Sequence, residues 1–100
     1  MQRAVELESM KNVIISGASS GIGRACAVYL AKRRWRVFGT TRQSPSAVEA
    51  DLRGELDTTH QLEMLATDVD NEASVVEGVA RVVERAGRLD AVVNCAGFGI

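Results

Sequence analysis

The stretch ISGASSGIGRA, Ile15 to Ala25, constrains this chain more than any other part of it. It begins within Asn12 to Ser16 (NVIIS), a short run rich in β-branched residues that reads as a strand buried on both faces. It then enters a helical pattern in which Ile22, Ala25, Cys26, Tyr29 and Leu30 recur at i, i+3, i+4, i+7 and i+8 as one apolar stripe. A buried strand that turns through glycines into a helix opens a βαβ unit. The glycines fall at 17, 21 and 23, and each spacing has a physical use. Gly17 lets the chain leave the strand sharply, Gly21 lets backbone approach a pyrophosphate, and Gly23 lets the helix lie close on the sheet. Phosphates would meet the N–H groups and positive end of that helix, with Ser19 and Ser20 as hydroxyl donors. Gly17, Ser19, Ser20, Gly21, Ile22 and Gly23 are therefore candidate phosphate-binding residues. A Walker A loop is not supported, because no Gly-Lys-Ser/Thr follows.

The remaining pattern continues the alternation. Arg36 to Thr41 (RVFGTT) reads as a second strand, Gln43 to His60 as a weakly helical connection through Pro45, Ala47, Val48 and Leu52, and Leu62 to Thr67 as a third strand. A helix follows, with Asp68, Asp70 or Asn71 to cap it, Glu72 in its first turn, an apolar stripe of Val75, Val76, Val79, Val83 and Ala86, and Gly87 to end it. Leu89 to Asn94 (LDAVVN) is the fourth strand. Strands alternating with helices require right-handed crossovers and a parallel sheet. The expected fold class is thus α/β, half of a doubly wound sheet with strand order 3-2-1-4. One domain is expected over residues 11–100, with residues 1–10 as an extension and Met10 as a possible alternative start.

Composition removes other classes. Twelve basic and thirteen acidic residues give a net charge of −1, so no overall positive field recommends a nucleic acid or a membrane surface as partner. Cys26 and Cys95 are far apart and His60 is the only histidine, which excludes a zinc site by spacing. The two cysteines read as small buried hydrophobes in a reducing compartment, and with no signal peptide or spanning segment visible the expected location is cytoplasmic.

Three ordered motifs carry a resemblance: SGASSGIG at 16–23, Asp68-Val69 after the third strand, and Asn94-Cys95-Ala96-Gly97 after the fourth. The chain resembles the N-terminal part of a short-chain dehydrogenase/reductase, in which TGxxxGIG, Asp-Val and NNAG stand in these places. Ser16 for Thr and Cys95 for the second Asn are the departures. The resemblance implies a Rossmann fold truncated after strand 4, in which Asp68 accepts a hydrogen bond from the adenine amino group and Val69 lines the adenine pocket. It also implies that Asn94 ties strand 4 to neighbouring backbone while the Ala96-Gly97 turn admits the nicotinamide ribose.

An NAD-selective site offers a carboxylate about 20 residues past the glycines, at the end of the second strand, for the ribose 2′-OH. Here Thr40, Thr41 and Arg42 stand there. A carboxylate would repel the extra phosphate of NADP, whereas an arginine can clamp it, so NADP(H) is expected over NAD(H), with Arg42 as the ligand and the Thr41 and Ser20 hydroxyls as helpers.

The family's proton-handling serine and Tyr-x-x-x-Lys cannot be assigned. Tyr29 is followed by Lys32 and Arg33, with the lysine at i+3, and reads as a core residue of the first helix. No catalytic residue is therefore expected in these 100 residues, and an alcohol/ketone substrate only in a longer form. An open edge on strand 4 is expected to favour association, including a homo-oligomer, and marginal folding of the isolated chain. The alternative is a non-catalytic NADP(H)-binding or interaction module. A methyltransferase is disfavoured, since no GxGxG occurs and the NCAG segment would be unexplained.

Overall fold

Five consecutive residues without solvent on either face make the first strand, β1 (Asn12–Ser16), as a strand at the centre of a covered parallel sheet requires. The computed structural model describes residues 10–19, 21–57, 60–68 and 71–95. After β1 come α1 (Gly21–Lys32), β2 (Arg36–Thr41), α2 (Pro45–Leu52), β3 (Leu62–Ala66), α3 (Glu72–Ala86) and β4 (Ala91–Asn94). The four strands form one sheet in the order β3-β2-β1-β4, with every pairing parallel, which is the expected doubly wound arrangement. Val13 pairs with Val37 on one side and Ala91 on the other, so β1 is flanked on both edges.

Strand alternation sorts the core into two layers. Val13, Ile15, Val37, Leu62 and Met64 face α1 and α2, where Ala27, Val28, Ala31, Val48 and Leu52 complete one cluster. Ile14, Phe38 and Leu65 point the other way and meet Val82 of α3.

The helices lie on the sheet by different faces than their apolar periodicity suggests. In α1 the buried residues are Gly23, Ala27, Val28 and Ala31, with Cys26 and Leu30 packed partly against them. Ile22 is 73% exposed and Tyr29 56% exposed, which corrects the expected stripe and the reading of Tyr29 as core. The reason is size. A row of small residues at 23, 27 and 31 lets the helix approach the strands, and the bulky row is turned outward. The Tyr29 ring instead lies under the Arg33 guanidinium, 4.4 Å from its centroid. In α3 the same happens: Gly78 and Val82 are buried, while Val76, Val79 and Val83 of the expected stripe stay exposed. The ends of α3 are as the sequence indicates, with the Asn71 side chain accepting from the Ser74 N–H, and Gly87 left-handed and donating to the Val83 carbonyl.

Two strand boundaries move. β3 ends at Ala66, and β4 starts at Ala91 instead of Leu89, because Asp90 is engaged elsewhere: its backbone N–H donates to the Asn12 carbonyl at 2.9 Å and its carboxylate accepts from the Asn12 N–H at 2.7 Å. The ambiguous connection after β2 is organised by Arg53, whose guanidinium donates to the carbonyls of Asp57, His60 and Leu62. Among the described residues no helix is long and apolar enough to cross a membrane, and no cluster of potential metal ligands occurs. Apart from Met10, the expected extension lies outside the described residues.

Candidate cofactor site

Because all four strands are parallel, their C-terminal ends open along one edge of the sheet. The crossover after β1 runs to β2 on one side, while β4 joins on the other, so a topological switch point stands at the end of β1. Three groups of residues meet there.

The first is the glycine turn. Gly17 and Gly21 take positive φ of 66° and 59°, values that a side-chain-bearing residue adopts only at a cost. The end of β2 holds the turn in place, the Thr40 carbonyl accepting from the Ala18 N–H at 3.1 Å and the Thr40 hydroxyl oxygen from the Gly17 N–H at 3.3 Å. A Cβ on Gly23 would fall 2.0 Å from the Gly17 carbonyl oxygen, so the helix rests directly on the turn. A Cβ on Gly21 would meet nothing within 4 Å, which leaves the backbone there open to a ligand. Neither Asp nor Glu occupies the first turn of α1, and Ser19 is half-buried beside it, so no carboxylate on that turn opposes an anion at its N-terminus.

The second group closes the other side of β2. The Thr41 hydroxyl accepts from the Gln43 N–H at 3.0 Å and shapes the exit from the strand, leaving its own proton to donate. Arg42 Nη2 stands 3.2 Å from Asp68 Oδ1, both side chains more than half exposed. Thr41, Arg42, Ala66, Thr67 and Asp68 line an open depression of about 520 Å³. Asp68 is not the cap of α3; Asn71 is, and the Asp68 N–H donates to the Ser74 hydroxyl at 3.0 Å. Its carboxylate therefore faces Arg42 and the depression.

Thr67 escaped the sequence reading. It is 7% exposed, and its hydroxyl oxygen has no hydrogen-bond partner. It lines both the depression and a second cleft of about 240 Å³ between the sheet and α3, where the polar atoms are those of Ser16, Thr40, Thr67 and Asn94. The available signal was a threonine just past the apolar end of β3, one residue beyond the pair of Thr41 with Ala66.

The third group joins β1 to β4. Ser16 lies opposite Asn94 in register, its hydroxyl donates to Asn94 Oδ1 at 2.8 Å, and its oxygen accepts from the Cys95 N–H at 3.0 Å. Asn94 is thus anchored through a side chain of β1, and Ser16 is part of the site's framework. Of the other expected site residues, Ile22 is exposed at the start of α1, while Ser20, Val69, Ala96 and Gly97 lie outside the described residues.

Comparison with known proteins agrees with this arrangement. A 3-ketodihydrosphingosine reductase of Bacteroides thetaiotaomicron is 35% identical over 88 residues, 88% of this chain and 29% of that protein. An NADPH-dependent pterin aldehyde reductase of Arabidopsis thaliana is 36% identical over 94 residues, 94% of this chain and 38% of that protein. A variant of actinorhodin polyketide ketoreductase, solved with NADPH, superposes with a TM-score of 0.80 at 32% identity, covering 90% of this chain and 34% of that one. The chain therefore spans about a third of the length of these proteins. The sequence profile described as short chain dehydrogenase matches residues 11–100. With its parallel sheet, its glycine turn at the switch point and this match over nine-tenths of its length, the chain belongs to the short chain dehydrogenase family.

Proposed function

We propose that these residues form the cofactor-holding part of an NADP(H)-dependent oxidoreductase that transfers a hydride between nicotinamide and an alcohol/ketone pair. The observation that carries the cofactor preference is Arg42, which follows β2 directly and stands at the rim of the depression beside Asp68. A guanidinium there offers charge-assisted hydrogen bonds to a ribose 2′-phosphate, where a carboxylate in its place would repel it. The Arabidopsis relative described as NADPH-dependent and the ketoreductase solved with NADPH support the same choice.

The residues fit a dinucleotide. Gly21 leaves backbone uncovered at the N-terminus of α1, and Thr41, Arg42, Thr67 and Asp68 border the depression where an adenosine would lie. Gly17, Ser19, Gly21, Ile22 and Gly23 would hold the pyrophosphate by backbone and hydroxyl donors, with Ser20 beside them. Thr41 and Arg42 would take the 2′-phosphate, Asp68 the adenine amino group with Val69 against the ring, and Asn94 with Ala96 and Gly97 would border the nicotinamide ribose. The bound nicotinamide supplies the hydride. This chain's own residues bind and orient; donation of the proton falls to groups not among them, since Tyr29 sits outward on α1.

The test is a fluorescence titration of the full-length protein with NADPH and NADH. Replacing Arg42 with Ala should lower the preference for NADPH by about tenfold or more, as loss of a hydrogen bond to a charged group implies. An unchanged ratio would remove Arg42 from this role.

A further inference from the structure

Cys26 and Cys95 are the only cysteines of the chain, and the cofactor reading uses neither. Three independent placements bring them together. Along β4, side chains alternate, and Ala91 and Val93 pack against the cluster beneath α1, which sends the next residue of that row, Cys95, to the same face. Ser16 pairs with Asn94, so Cys95 comes level with Gly17, the residue on which Gly23 rests. Cys26 lies one helical turn beyond Gly23 and packs on that same cluster. The result is a pair of half-buried free thiols brought to the same side of the sheet, beside the turn that joins β1 to α1.

We propose that Cys26 and Cys95 form a reversible disulfide that ties α1 to the end of β4 and weakens dinucleotide binding. A low-molecular-weight disulfide is the oxidant. The thiolate of Cys26 attacks one of its sulfurs, the reagent's S–S bond breaks, and one equivalent leaves as thiol. Cys95 then loses its proton and attacks Cys26 Sγ, forming the protein S–S bond and releasing the second reagent thiol. Two protein thiols are oxidised and one small disulfide is reduced to two thiols. Burial, with Cys26 as neighbour, pushes the Cys95 thiol above its ordinary range, which slows its own attack on the oxidant.

Bond formation shortens the sulfur separation to about 2.05 Å, less than any non-bonded contact. The helix cannot yield freely, because the position of Gly23 already abuts the Gly17 carbonyl. The movement is therefore taken up by the turn between β1 and α1 and by Cys95 at the end of β4, which stand on either side of the switch point. In a reducing compartment such a bridge is transient, as a sensor requires.

The effect on affinity rests on the proposed cofactor reading; the bridge itself does not. The full-length protein is treated with oxidised glutathione, digested with trypsin without reductant and mapped by mass spectrometry. The peptide from Ala25 to Lys32 should appear linked to the peptide beginning at Leu89, and dithiothreitol or Cys26→Ser should abolish the link. Oxidation should raise the NADPH dissociation constant about tenfold or more, reversibly, and Cys26→Ser should make it insensitive to the oxidant. Separate glutathione adducts on the two cysteines, or two free thiols, would overturn the bridge. A bridge with unchanged affinity would overturn its control of binding. Absence of NADPH binding to the reduced protein would instead overturn the cofactor reading, while the peptide map still decides the bridge.

Discussion

A single missing carbon defines the crevice at Gly23. The obstacle to a Cβ there is the Gly17 carbonyl, a main-chain atom with nowhere to go, so Gly23→Ala should cost at least about 2 kcal/mol, as overpacked cores do. Because the strain falls on the phosphate turn, NADPH affinity should drop further than stability; paired denaturant and nucleotide titrations measure both. Asp90 gives a second residue-scale expectation. The Asn12 N–H donates to its carboxylate, and with the nearby Arg88 charge this outweighs burial and holds the carboxyl below the ordinary carboxylate range. A depressed folded pKa means the stabilisation is present above the unfolded value of about 3.9 and is lost as pH falls through the folded value. Asp90→Asn should therefore destabilise at pH 7 and make no difference at strongly acid pH, as urea unfolding at the two pH values would show.

At the scale of elements, strands and helices were legible to different depths. Short apolar runs between helical patterns marked the strands, and right-handed crossovers gave their order. The helices existed where periodicity put them, yet their buried faces did not follow the largest side chains. In α1 the contact row is Gly23, Ala27 and Ala31, and in α3 it is centred on Gly78 and Val82. Close approach selects small residues, and hydrophobicity alone cannot register that. In the site, glycine spacing announced the turn, whereas Thr67 was invisible because its importance lies in a hydroxyl left without a partner by folding. The link from α1 to β2 offers a further test. Arg34 is the one non-glycine described with positive φ, at 71°, and Arg34→Gly should stabilise by about 1 kcal/mol, read as a higher denaturant midpoint.

For the whole molecule, the sheet's order leaves β3 and β4 as its edges among the described residues. The two edges are unequal. Val92 of β4 is 62% exposed, and Val76 of α3, on the same side of the sheet, is 61% exposed, with Val79 and Val83 nearby on that helix. Apolar surface beside open backbone invites pairing with another chain. The 100-residue chain on its own should self-associate through this side, and Val92→Lys with Val76→Lys should shift it toward monomer in light scattering; an unchanged size distribution would place the association elsewhere. Arg53, at the far end of the sheet from the cofactor crevice, carries a different consequence. Its guanidinium reads main-chain oxygens at Asp57, His60 and Leu62, and every amino acid carries such an oxygen. That hold does not depend on the side chains it gathers, whereas the bond from the Asp57 N–H to His60 Nδ1 does, so exchange of His60 should loosen the connection between α2 and β3 without releasing it wherever the arginine is kept.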